Sequence, residues 1–171
     1  MKGTASRKDD PATDQAQRDW LAASTKNQAE NLMITDMVRN DLGRIAEPGS
    51  VQVSKLFAME RYPTVWQMTS RVEARTQASV TEIFRELFPA ASITGAPKRA
   101  SMRHIRDLET TPREIYTGAI GYIAPKRQAH FNIAIRTALI DNASGVARYG
   151  AGGGVVWDSK PVEEHAELIS K

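Results

Sequence analysis

Apolar residues recur at helical spacing through Ala29, Met33 and Met37, and again through Ile34 and Val38. This pattern predicts a helix from a cap at Ser24 or Thr25 to about Asp41. Residues 3–13 are polar and hold Gly, Ser, Lys, Asp and Pro, which predicts a mobile loop; the helical pattern begins at Asp14. Glu47-Pro48-Gly49 marks a turn. Two β-type runs follow, 51–59 and 64–74, separated by Pro63. Ser79 with Glu82 three residues on is a capping-box pattern for a short helix to Leu87. Residues 92–97 predict a loop, with Pro97 in the first turn of a helix reaching about Leu108. Three strands are then expected, 114–123, 129–141 and 145–157, joined at Pro125-Lys126-Arg127 and Asn142-Ala143-Ser144. Such short connections predict an antiparallel meander. Pro161 opens a last helix. The fold class is α+β, an antiparallel β-sheet with helices packed outside.

Composition narrows the classes. A length of 171 residues suits one domain with a real core. There is no cysteine, which excludes disulfides and thiolate metal sites and fits a cytoplasmic location. The net charge of +3 comes from scattered basic residues with acids interleaved, and only 3 Trp and 4 Tyr are available for stacking. That is not a nucleic-acid footprint. No apolar run approaches the roughly 20 residues needed to cross a bilayer, and MKGTASRKDD lacks the apolar core of a signal peptide.

Several constellations bear on chemistry. Glu164 and Glu167 are three apart on the last helix and share a face. Glu30 precedes Met33, Ile34 and Met37, which places it along the inward edge of its helix. A carboxylate there needs a partner, and a hard divalent cation such as magnesium would supply one. From spacing alone, a solvated acidic face is the simpler reading. Along 129–140, Phe131, Ile133, Ile135 and Leu139 alternate onto one face, leaving Arg136 among small and polar side chains on the other. A guanidinium so placed grips a carboxylate through two hydrogen bonds or pairs with a nearby acid. The glycines of 150–154 mark either a bulge or a close approach by ligand or backbone. Ser92 lies before a helix start, where orphan N–H groups collect. His104, His130 and His165 form no zinc-type pair.

Eight stretches, in order, carry a family resemblance: MKGT at 1–4, AENLMITDMVRNDLGR at 29–44, EPGSV at 47–51, SITGAPK at 92–98, YTGAIGY at 116–122, IAIRTAL at 133–139, AGGGVVWDS at 151–159 and EEHAE at 163–167. Together they resemble the chorismate-binding domain shared by anthranilate, aminodeoxychorismate, isochorismate and salicylate synthases. The resemblance implies that Glu30, Glu164 and Glu167 bind Mg2+, which holds the ring carboxylate of chorismate and helps the 4-hydroxyl leave. It implies that Arg136 and Tyr116 hold the enolpyruvyl carboxylate. Gly152 and Gly154 are then backbone donors to a substrate carboxylate, Ser92 lies near the substrate, and Lys171 lies near the ring carboxylate.

Lys2 separates the subfamilies. The alanine form of its motif resembles anthranilate and salicylate synthases. The lysine form resembles component I of aminodeoxychorismate synthase, an enzyme of para-aminobenzoate and folate synthesis. There the lysine is a catalytic nucleophile adding at C2 of chorismate, and ammonia comes from a glutamine amidotransferase subunit. Gln67, in VWQMTS, stands where the family often has histidine; it keeps hydrogen bonding but cannot shuttle a proton. The resemblance also implies that 1–171 is the C-terminal portion of one chorismate-binding domain, with an upstream half outside it and the last helix cut short. Such a piece is expected to be inactive or feeble in isolation and to expose apolar surface.

Overall fold

The computed structural model describes residues 1–157 and 159–169. The chain forms two compact units that divide after Ser92, and its class is α+β.

In the first unit, β1 (Thr4–Ser6), β2 (Gln52–Arg61) and β3 (Val65–Glu73) form an antiparallel sheet in the order β1-β3-β2. Residues 3–13 are therefore not a loop. Thr4, Ala5 and Ser6 pair with Gln67, Trp66 and Val65, and α1 (Pro11–Ala23) starts at Asp10, whose carboxylate accepts from the Thr13 N–H at 2.9 Å. The strand is three residues long with only Ala5 buried, too short for its alternation to stand out in the sequence. Ser24 caps α2 (Thr25–Gly43), as expected. Helix α3 (Val80–Leu87) carries the complete Ser79–Glu82 capping box. A single turn, α4 (Ala91–Thr94), stands where a loop was expected.

The core of this unit is Ala5, Leu21 and Met68, with Phe57, Met59 and Trp66 packed against it. One edge of that core is polar. Asp14 accepts from Arg7 Nε at 2.8 Å, from the Lys8 N–H at 3.0 Å and from Trp66 Nε1 at 3.1 Å. The Arg7 guanidinium also lies 5.2 Å from the Trp66 ring centre. These donors, Arg7 foremost, pull the Asp14 carboxyl down to about 2.

The buried residues of α2 are Asn31, Thr35 and Asp41, whereas Leu32 and Met33 are about half exposed. The fully buried stripe is thus polar, with Ile34, Met37 and Val38 partly buried beside it. Glu30 is partly buried beside that stripe. Asn31 faces inward, where its amide donates to the Lys2 and Met68 carbonyls.

The second unit holds α5 (Lys98–Leu108), β4 (Ala119–Ala124), β5 (Gln128–Ile133), β6 (Ala138–Asp141), β7 (Val146–Tyr149) and α6 (Pro161–Ile169). Its strands form two antiparallel hairpins, β4-β5 and β6-β7, rather than one continuous meander. Lys126 and Arg127, with φ of 60° and 58°, turn the first hairpin. The long strand expected over 129–141 is broken. Ala134 closes the first ladder by exchanging bonds with Thr117 and Gly118, Ile135 N–H bonds back to Ile133 O at 2.9 Å, and Arg136 takes a left-handed φ of 51°. This tight turn ends the alternation, so Phe131 and Leu139 belong to different hairpins.

Candidate active site

Lys2 lies two residues before β1 and stays bound to β3: its N–H donates to Met68 O at 3.2 Å. Lys2 is among the residues lining an open cleft of about 470 Å³. Ile34 and Val38 from α2 form the apolar side, Asn31, Thr35, Thr69 and Ser70 supply hydroxyls and an amide, and Lys55, Arg71 and Glu60 add charge. Three cations against one carboxylate favour an anionic ligand. Lys55 and Arg71 are opposite each other in the β2–β3 register. Sequence reading missed both, because cross-strand pairing is not visible along one strand. Lys2 and Arg71, distant in sequence, are brought to one cleft; Glu30 is not among its lining residues.

Asn31 spans the floor of this site. Its Nδ2 donates to Lys2 O at 3.2 Å and Met68 O at 3.3 Å, and its Oδ1 accepts from Ser70 Oγ at 2.5 Å. Gln67 is engaged too: Nε2 donates to Gly3 O at 2.6 Å and Oε1 accepts from Thr4 Oγ1 at 3.1 Å.

In the second unit, the Tyr116 ring lies against the glycine run. A methyl group on Gly150 would collide with the ring carbons, and one on Gly152 would come 2.7 Å from the hydroxyl. The glycines are there because the tyrosine approaches so closely. Arg113, held by Glu109 through a 2.6 Å ion pair, places its guanidinium 5.9 Å from the Tyr116 ring centre. Tyr116, Gly150 and Gly152 are therefore assembled. Arg136 is exposed at its turn between β5 and β6, and Gly154 and Ser92 are exposed as well. Glu164 is partly buried on α6 and accepts from Ser159 Oγ at 2.7 Å. Glu167 lies on α6, but its side chain is outside the described residues, as is Lys171. Among the described residues, no three Asp, Glu or His side chains gather as a metal site. No described helix is long and apolar enough to cross a membrane.

The family model for chorismate binding enzymes matches residues 1–171. The chain belongs to the chorismate binding enzyme family. It is 43% identical to aminodeoxychorismate synthase component 1 of Salmonella typhimurium, over 100% of this chain and 38% of that protein. It is 44% identical to the chloroplastic aminodeoxychorismate synthase of Arabidopsis thaliana, over 100% of this chain and 19% of that protein. The solved structure of anthranilate synthase component I from Streptococcus pneumoniae superposes with a TM-score of 0.85 at 36% identity, covering 99% of this chain and 41% of that one. The chain thus spans well under half the length of these family members.

Proposed function

We propose that the complete protein carrying this chain is an aminodeoxychorismate synthase component I, converting chorismate and ammonia to 4-amino-4-deoxychorismate in the cytoplasmic synthesis of para-aminobenzoate and folate. The observation that carries the reading is Lys2, set in a cleft with two further cations, Lys55 and Arg71. Chorismate is a dicarboxylate, and such a cleft attracts it. The similarity to relatives named aminodeoxychorismate synthase supports the same reaction.

The unprotonated Lys2 amine adds at C2 while the C4 hydroxyl departs as water. Ammonia then adds at C4, the C2–N bond breaks, and the lysine amine is released. One difficult displacement becomes two easier ones. Arg136 and Tyr116 hold the enolpyruvyl carboxylate, Arg136 by a forked pair of hydrogen bonds. Backbone N–H groups at Gly152 and Gly154 bind a substrate carboxylate, and Ser92 and Lys171 stand near the substrate. A glutamine amidotransferase subunit delivers the ammonia.

The residues proposed for magnesium, Glu30, Glu164 and Glu167, offer only hard carboxylate oxygens, a donor set that fits Mg2+. Glu30 and Glu164 are both partly buried, which favours carboxylates with a cationic partner. When bound, the ion neutralises the ring carboxylate and eases departure of the hydroxyl.

The test is product identity. The complete protein, incubated with chorismate, Mg2+ and ammonium, is expected to yield aminodeoxychorismate by mass and chromatography. Anthranilate or isochorismate as the sole product would overturn the assignment.

A further inference from the structure

We propose that Gln67 is a positioning residue that fixes the direction in which Lys2 leaves the sheet, acting through the backbone of Gly3; this rests on the reading of Lys2 as the nucleophile. Gly3 is the residue at which the chain turns, with φ +92°. A side chain there would be strained and would meet Asn27 Cβ at 3.1 Å and Leu21 Cδ1 at 3.2 Å. The set of that turn decides where the Lys2 side chain points. The Gly3 carbonyl accepts twice, from the Met68 N–H at 2.9 Å and from Gln67 Nε2 at 2.6 Å. The other end of the same amide accepts from Thr4 Oγ1 at 3.1 Å. Gln67 thus holds the two residues that follow Lys2, while Asn31 holds the Lys2 carbonyl from α2 at 3.2 Å.

An amide suits this task for a chemical reason. It presents one donating and one accepting end at every working pH. A neutral imidazole could do the same, but on protonation it becomes a donor at both nitrogens and loses its hold on the Thr4 hydroxyl. Glutamine therefore keeps the Lys2 geometry independent of pH.

The test uses the complete protein and reads Lys2 directly. Acetylation rates of Lys2 and Lys55 are measured by peptide mass spectrometry in the parent and in Gln67→Met, which keeps chain length and removes both hydrogen bonds. Lys55 lines the same cleft and is the internal control. We expect Lys2 to label at least about threefold faster with Lys55 unchanged, as local release predicts. Turnover should fall at least about tenfold in kcat while KM for chorismate stays within about threefold. Parental labelling of Lys2, or equal acceleration of both lysines, would overturn the proposal. Should Gln67→Met not fold, Gln67→Glu carries the test: its carboxylate repels the Gly3 carbonyl, and protonation restores a donor. The Lys2-to-Lys55 labelling ratio should depart from the parent's at pH 8 and return as pH falls; a pH-invariant departure would count against the clamp. A parent that aminates nothing would defeat the nucleophile reading, while the labelling ratio still decides the clamp.

Discussion

Asp14 gathers Arg7, the Lys8 N–H and the Trp66 indole around one carboxylate at the edge of the first unit's core. Its folded pKa, about 2, lies below the ordinary 3.8. A depressed carboxyl contributes stability that is full above the ordinary value and is lost as pH falls through the folded one. Asp14→Asn should therefore lower the denaturation midpoint at pH 7, and the parent's excess stability over the variant should vanish between pH 4 and pH 2. Urea titrations across that range check it; a gap that persists undiminished at pH 2 would assign the loss to packing alone. Nothing in the sequence marks Asp14, which sits in what reads as the start of a helix. Lys2, Arg136 and the three glutamates are site candidates only because whole motifs surround them. Lys55 and Arg71, which share the cleft with Lys2, have no motif and emerge only from strand register.

Helix ends and turns were the elements most readable from sequence, because their chemistry is local. The Ser79–Glu82 box closes as its spacing predicts, and Ser79→Ala should cost about 1 kcal/mol in unfolding free energy, measured by denaturant titration. Elements that depend on distant partners were read less well. Strand β1 exists because β3 is there to pair with it, and α2 buries Asn31 against the Lys2 and Met68 carbonyls, with the Thr35 hydroxyl bonded back to Asn31. The run of 129–141 alternates like one strand, but the backbone turns at Arg136. At the glycine run, the steric demand is specific. Gly150→Ala should destabilise the protein strongly when Tyr116 is present and much less in a Tyr116→Ala background. The coupling should be about 0.5–3 kcal/mol in a double-mutant cycle, and additive effects would show that the ring is not the obstacle.

At the scale of the molecule, many apolar side chains of the second unit are exposed, among them Ile123 at 62%, Ile140 at 62% and Trp157 at 99%. Extensive apolar exposure is the mark of a surface that contacts other protein. The family members that this chain matches are more than twice its length, so residues 1–171 expressed alone should fail to turn over chorismate at an enzymatic rate and should bind a hydrophobic dye. Normal turnover by that piece would refute the requirement for further chain. The α+β class and the family were legible throughout, since motif order survives where strand boundaries do not. The central claim is that Lys2 makes and breaks a bond during amination. The most direct measurement compares the complete protein with its Lys2→Ala variant, given chorismate, Mg2+ and ammonium, with products resolved by mass and chromatography. We predict aminodeoxychorismate from the parent, and its loss or diversion to another product in the variant with chorismate binding retained. Aminodeoxychorismate formed by Lys2→Ala at the parental rate would contradict the account.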